Sequence, residues 1–118
     1  MKSVVRMNLK EILEICRLND EEMKKYLEST KHNDPKKDHY LAYRTMMNQT
    51  RRELLKFIGN NVRTFEQLKT EFQEEEEQIN YHLNMLEQLF YVMKTKMGWK
   101  ATPRGLGFLY NAILEDST

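Results

Sequence analysis

Apolar residues recur at helical spacing along much of this chain, most clearly between residues 75 and 89. Centring a helical face on Ile79 places three further apolar side chains beside it, those of Leu83, Leu86 and Phe90. The opposite face carries polar groups, mainly amides: Glu77, Tyr81, Asn84 and Gln88. The segment is therefore predicted to form an amphipathic helix with one buried side and one exposed, amide-rich side.

Three helices are predicted in the first fifty residues. A helix over residues 8–18 is indicated by apolar residues that share one face: Leu9, Ile12, Leu13 and Cys16. Asn19, followed by acidic residues, has the form of an N-cap that opens a second helix. The apolar residues keep the same helical spacing through both segments, so one continuous helix is the alternative. After a polar break containing Pro35, a third helix is expected from residue 38, and it either stops or runs on into the next one.

Residues 50–90 predict further helices with clear start and stop signals. Capping-box sequences begin at Thr50 and Thr64, where a hydroxyl residue precedes Glu or Gln by three positions. Gly59 is expected to end the helix between them. Residues 62–63 are predicted to form a short strand just before the helix that opens at Thr64.

Beyond residue 90 the pattern changes from helical to β-prone. Two short segments near residues 91–102 flank Gly98, which suits the tight turn of a hairpin. Thr102 and Pro103 supply an N-cap and a first helical residue for a last helix over residues 104–114. The predicted fold class is therefore mainly α with a small β-hairpin.

Composition and charge narrow the classes of function. The chain has 118 residues and a net charge of +1, so any nucleic-acid binding requires a local basic patch. No apolar run approaches a bilayer span and the N-terminus has no signal-like block, so no membrane contact is expected. With Cys16 as its single cysteine the chain forms no internal disulfide, which fits the cytoplasm as the expected location.

Four segments, by their order and spacing, resemble the winged helix-turn-helix regulators of the ArsR type found in prokaryotes. Residues 52–58 (RELLKFI) resemble the first helix of that family and residues 64–68 (TFEQL) the start of its second. Residues 79–87 (INYHLNMLE) are similar to its recognition helix, and residues 102–105 (TPRG) to the turn that leaves the wing. The resemblance implies a sequence-specific and usually dimeric DNA-binding module, with the recognition helix in the major groove and the wing beside the phosphates.

This resemblance also sets the expected domain organisation. Residues 50–118 would form the winged helix-turn-helix domain, with the recognition helix near residues 75–89 and the wing near residues 91–102. Residues 1–49 would form an N-terminal helical extension that serves dimerisation or effector binding.

Two positions depart from the family's pattern. Residues 74–77 are all glutamate where the family has small hydroxyl residues that approach phosphate. Acids in a first turn favour the helix by about 0.3–1 kcal/mol each, but they repel a phosphate backbone. Phe90 stands where the family often has glycine, between the recognition helix and the wing.

The candidate DNA-binding residues follow from these elements. Tyr81, Asn84 and Gln88 would face bases, with Asn80 flanking them, because amide side chains pair with adenine in the major groove. Residues 88–114 contain no carboxylate, and their basic groups would hold phosphates, with Trp99 among them: Lys94, Lys96, Lys100 and Arg104. The alternative is that these are ordinary solvated side chains and that the ring of Trp99 packs on the domain.

Other chemistry finds little support in the sequence. No catalytic constellation or phosphate loop is present, so neither an enzyme nor a cofactor is expected. His32, His39 and His82 form no metal pattern with Cys16, and His82 is expected to be a hydrogen-bonded structural histidine. Two hypotheses result: a DNA-binding transcriptional regulator acting on double-stranded DNA as a homodimer, and a winged-helix module that binds a protein partner instead.

Overall fold

The computed structural model describes residues 7–31 and 34–113. Its elements are, in chain order, α1 (Leu9–Ile15), α2 (Asp20–Thr30), α3 (Pro35–Met46), α4 (Gln49–Ile58), α5 (Phe65–Phe72), α6 (Glu76–Gln88), β1 (Val92–Thr95), β2 (Gly98–Ala101) and α7 (Pro103–Gly107). A π-helical segment, Phe108–Ile113, continues from α7. The described part of the chain is thus mainly helical with a small antiparallel hairpin, a layout compatible with a winged helix.

The first two helices are separate, which decides between the two alternatives for residues 8–30. Cys16 is extended, with φ −66° and ψ 134°, so α1 ends before it. Asn19 then starts α2 as predicted: its side chain accepts from the amide of Glu22, whose carboxylate accepts from the amide of Asn19. A capping box at Asn8 starts α1 in the same way.

The boundaries of α3 and α4 differ from the prediction. Helix α3 begins at Pro35, three residues early, because the carboxylate of Asp34 accepts from the amides of Lys36 and Lys37. It ends before Asn48, whose side chain caps α4. The predicted capping box at Thr50 is therefore wrong, since Thr50 lies inside the first turn of α4.

The turn signals further along are confirmed. Gly59 ends α4 with φ 48°, and Thr64 caps α5 with Gln67 as its reciprocal partner. The predicted strand at residues 62–63 is reduced to one bridge, in which Arg63 exchanges two backbone hydrogen bonds of 3.0 and 2.7 Å with Trp99.

The hairpin pairs β1 and β2 antiparallel, with Met93 opposite Lys100 and Lys94 opposite Trp99. Thr102 caps α7 with its hydroxyl, as predicted. The helix begins at Pro103, and the predicted end at residue 114 lies outside the described residues.

Phe90 takes the left-handed backbone that glycine adopts most easily. Its φ is 66°, and the next amide, that of Tyr91, donates to the carbonyl of Leu86 at 2.9 Å. The chain therefore leaves α6 through a glycine-like turn although the residue is phenylalanine.

One hydrophobic core joins the N-terminal helices to the rest of the chain. Its fully buried residues come from α4, α5, α6 and α7: Leu54, Leu55, Ile58, Leu68, Ile79, Leu83, Leu86 and Leu106. Ile12 of α1 and Ala42 and Met46 of α3 belong to the same cluster. Among the described residues, no helix combines the length and apolar character that crossing a bilayer demands.

Candidate nucleic-acid interface

The two faces of α6 match the amphipathic prediction except at Phe90, which lies beyond the end of the helix at Gln88 and is only partly buried. Ile79, Leu83 and Leu86 are fully buried, and they fix the helix against α4 and α5. The predicted base-facing residues lie on the opposite side and are all exposed: Asn80, Tyr81, Asn84 and Gln88. The N-terminal helices leave this face open, so its amides and phenol are available to a ligand.

A buried arginine that sequence reasoning missed supports this face from below. Arg51 of α4 is 8% exposed, and its Nε donates to Nδ1 of His82 at 3.2 Å. Its guanidinium also lies 5.3 Å from the ring centroid of Tyr81, within cation–π range. Arg51 is therefore a positioning residue for Tyr81. Nothing in the local pattern signals this role, since the two residues are far apart in sequence.

His82 is the buried, hydrogen-bonded histidine that the sequence predicted. Burial lowers the pKa of His82, and the positive charge of Arg51 lowers it further. The negative charge of Glu74 has a smaller effect in the opposite direction. The imidazole is accordingly neutral and accepts the hydrogen bond from Arg51.

This lowered pKa predicts a loss of stability in mild acid. The unfolded chain takes up the proton on His82 near pH 6.5, whereas the folded chain resists it, so the free energy of unfolding falls as pH drops below that value. Urea unfolding at pH 7.5 and pH 5.5 measures the change, which we expect to be smaller in His82→Gln than in the parent. His39→Gln removes an exposed histidine instead and should keep the parent's pH dependence. Equal dependence in all three proteins would contradict this role of His82.

The predicted wing residues divide into two groups. Lys94 and Lys96 are exposed, as phosphate contacts must be. Trp99 is 5% exposed and packs in the core, as the alternative from the sequence had it. Lys100 and Arg104 already have carboxylate partners within the chain, so neither offers a free cation at the surface.

Both partner carboxylates come from the N-terminal helices. The ammonium of Lys100 lies 2.8 Å from Oε1 of Glu22 on α2, and the two side chains are 8% and 17% exposed. Arg104 donates to both carboxylate oxygens of Asp38 on α3, at 2.8 and 2.7 Å. Burial raises the pKa of Glu22, but the hydrogen bonds from Lys100 and the Asn19 amide outweigh it and leave that pKa below its ordinary value. These pairs fasten α2 and α3 to the hairpin and to α7.

The glutamate run lies at the start of α6. All four side chains are exposed, and α6 begins at Glu76 with no side-chain cap from Glu75. Lys69 of α5 lies 2.9 Å from the carboxylate of Glu76, which offsets one of the four charges. The hydrogen bond from Lys69 to Glu76 also raises the pKa of the lysine.

Cys16 carries no reactive signature. It is half-buried, its thiol donates weakly to the Ala101 carbonyl at 3.7 Å, and burial raises its pKa. Within the described residues, no group of three His, Cys, Asp or Glu side chains is arranged to hold a metal ion. His32 lies outside the described residues.

Comparison with family models, with curated proteins and with solved structures gave no match to this chain. Function is therefore inferred from the residues themselves and from where the fold places them.

Proposed function

We propose that this protein is a DNA-binding transcriptional regulator with a winged helix-turn-helix of the ArsR type. Helices α5 and α6 would form the helix-turn-helix, with α6 as recognition helix and the β1–β2 hairpin as wing. The observation that carries the proposal is the exposed row of Asn80, Asn84 and Gln88 on a helix whose other face is fully buried. A short turn with Gln73 in the left-handed region separates α5 from α6, which suits this motif.

The spacing of the amide row fits the edges of stacked bases. Asn80, Asn84 and Gln88 are separated by four residues each, so they align along one side of the helix. At 1.5 Å per residue the row is about 12 Å long, which is comparable to three or four base steps. Each amide that pairs with an adenine would contribute about 1–3 kcal/mol of discrimination against the wrong base.

The wing would contribute affinity rather than sequence preference. The exposed ammonium groups of Lys94 and Lys96 lie at the end of the hairpin, where they can neutralise phosphates and release counterions. Trp99, Lys100 and Arg104 are left out of this surface because they are buried or paired inside the chain.

The functional unit we propose is a homodimer. A single domain of this size covers few base pairs, and two copies related by a two-fold axis would read two half-sites. Helix α3 offers a surface for such pairing, because three of its exposed positions are large apolar or aromatic residues: Tyr40, Leu41 and Tyr43.

A protein-binding module is the second candidate function. It is favoured by the exposed face of α3 together with Met47, which borders a cavity of about 400 Å³ between α3 and the Phe108 region. The glutamate run at the start of α6 also favours a basic protein partner over a phosphate backbone.

Selection of bound duplexes from a random library, followed by fluorescence anisotropy with a labelled duplex, tests the DNA-binding proposal. We expect Asn84→Ala to weaken binding to the selected site by about 5–150-fold, which corresponds to 1–3 kcal/mol, with little effect on unrelated duplexes. Lys96→Gln should weaken binding to all duplexes alike and lower the salt slope by about 0.9. Asn61→Ala, an exposed asparagine outside α6, is the matched control and should leave binding unchanged.

Two outcomes count against the proposal. If the parent protein binds no duplex even at low salt, the protein-binding candidate becomes the better account of the fold. If Asn84→Ala and Lys96→Gln change specific and nonspecific binding identically, α6 is not in the groove.

A further inference from the structure

Helix α2 runs beside the outer face of the hairpin, and an open groove of about 700 Å³ lies between them. Lys25 stands on the α2 side of this groove, and Lys94 and Lys96 stand on the hairpin side. Lys25 and Lys94 also border a second cavity of about 110 Å³ further along the same seam. Three lysines from two parts of the chain therefore line one continuous surface.

We infer that Lys25 is a third phosphate-binding lysine, so that α2 and the wing together hold one stretch of DNA backbone. The inference rests on the proposed DNA-binding function and assigns part of that function to the N-terminal segment. From the sequence, only dimerisation or effector binding was predicted for this segment.

The position of Lys25 follows from how α2 is fastened. Glu22 is paired with Lys100 on the outer face of β2, at 2.8 Å. Residues three and four positions further along a helix lie on the same side, so Lys25 and Tyr26 also face the hairpin. Tyr26 is half-buried there, and burial raises its pKa. Lys24 lines neither cavity and is exposed.

The charge inside the groove suits a polyanion. The carboxylate of Glu22 is neutralised by Lys100, so the acidic side chains that oppose the three lysines are Glu21 in the groove and Glu87 in the adjoining cavity. Since lysine residues line both sides of an open channel, a phosphodiester chain lying along it would meet basic residues from both. A cationic ligand would be repelled by these lysines.

The groove also continues the surface already assigned to DNA. Lys94 follows α6 after a short connection, and its backbone amide donates to the carboxylate of Glu87 at 3.2 Å, so the lysine is anchored next to the recognition helix. A duplex with α6 in its major groove would therefore place a backbone near the hairpin, and α2 would widen the contact beyond the hairpin.

The test compares Lys25→Gln with Lys24→Gln in the full-length chain. Binding of a labelled duplex by anisotropy over about 50–200 mM salt gives the slope of log K against log salt. We expect Lys25→Gln to lower the slope by about 0.9 and to weaken specific and nonspecific binding alike, whereas Lys24→Gln keeps the parent's slope. Both lysines are exposed on the same helix, so equal thermal midpoints should verify that folding is unaffected.

The outcomes separate this inference from the proposed function. If the parent binds DNA and Lys96→Gln lowers the slope while Lys25→Gln matches Lys24→Gln, the inference fails and the DNA-binding proposal stands. If the parent binds no duplex even at low salt, both the inference and the DNA-binding proposal fail.

Discussion

Gly105→Ala is expected to lower the free energy of unfolding by about 3 kcal/mol, near the upper end for overpacking a core. A Cβ atom on Gly105 would lie 2.2 Å from the carbonyl oxygen of Tyr91 and 3.1 Å from Cδ1 of Leu55. The carbonyl has little freedom to move, because it accepts from the amide of Thr102 at 3.1 Å, and the hydroxyl of the same residue lies 3.2 Å away. The backbone itself would have to shift.

Gly107→Ala is the matched control, two residues further along. Its Cβ would meet only Cδ1 of Ile12, at an ordinary contact distance of 3.8 Å. Because alanine favours a helix over glycine by up to about 1 kcal/mol, this variant should be neutral or slightly more stable. Urea unfolding of both variants measures the difference. Equal stability of the two would show that α7 does not approach Tyr91 as closely as the structure has it.

The close approach at Gly105 matters for the candidate interface. It brings the first turn of α7 against the backbone at the base of the hairpin, between α6 and β1. The hairpin is therefore held at both strands, by α7 on one side and by the bridge from Arg63 to Trp99 on the other. A loss of this packing should loosen the hairpin, and with it Lys94 and Lys96, relative to α6.

Local sequence signals predicted the parts of the fold that local interactions determine. The apolar spacing around Ile79 identified the buried and exposed faces of α6, and residues such as Asn19, Gly59 and Thr64 marked helix ends correctly. The start of α4 was wrong because two capping residues stand close together and Asn48 precedes Thr50. The sequence alone does not show which of two such residues caps the helix, because that depends on how far the helix must extend to meet its neighbours.

In the candidate site, too, features that depend on local sequence were predicted and features that depend on distant residues were not. Exposure of Asn84 follows from helical period and was predicted, as was exposure of Lys94 and Lys96 in a hairpin. The pairing of Lys100 with Glu22 was not predictable, because the partners are 78 residues apart and a strand lysine has the same local pattern whether free or paired. Arg104 and Asp38 are 66 residues apart and illustrate the same point.

The glutamate run is where folding and DNA binding have opposite requirements. Acids at the start of α6 complement the helix dipole, and Lys69 from α5 adds a contact with Glu76 that spans the turn between the two helices. The same charges repel a phosphate that approaches this end of α6. In the proposed complex the DNA would therefore be contacted by the part of α6 that follows the glutamate run, where Asn80, Asn84 and Gln88 lie.

Glu22→Gln is expected to destabilise the protein by about 2–3 kcal/mol, because it leaves the buried ammonium of Lys100 without a counter-charge. Lys100 is 8% exposed, so water cannot replace the lost carboxylate. Lys100→Met should cost less, since Glu22 is 17% exposed and the methionine retains the packing of the alkyl chain. Urea unfolding of the two single variants and the double variant gives the coupling between the partners. A double variant whose destabilisation equals the sum of the singles would contradict a direct interaction.

The same substitution connects stability with binding. Because the Glu22–Lys100 pair holds α2 against the hairpin, its loss should also displace Lys25 from Lys94 and Lys96. In buffer where Glu22→Gln is still folded, we therefore expect its salt slope for DNA to fall toward that of Lys25→Gln, although the substitution removes a negative charge and would by itself favour DNA. An increased slope would mean that Lys100 had been freed to contact phosphate instead, and that α2 restrains the wing rather than extending it.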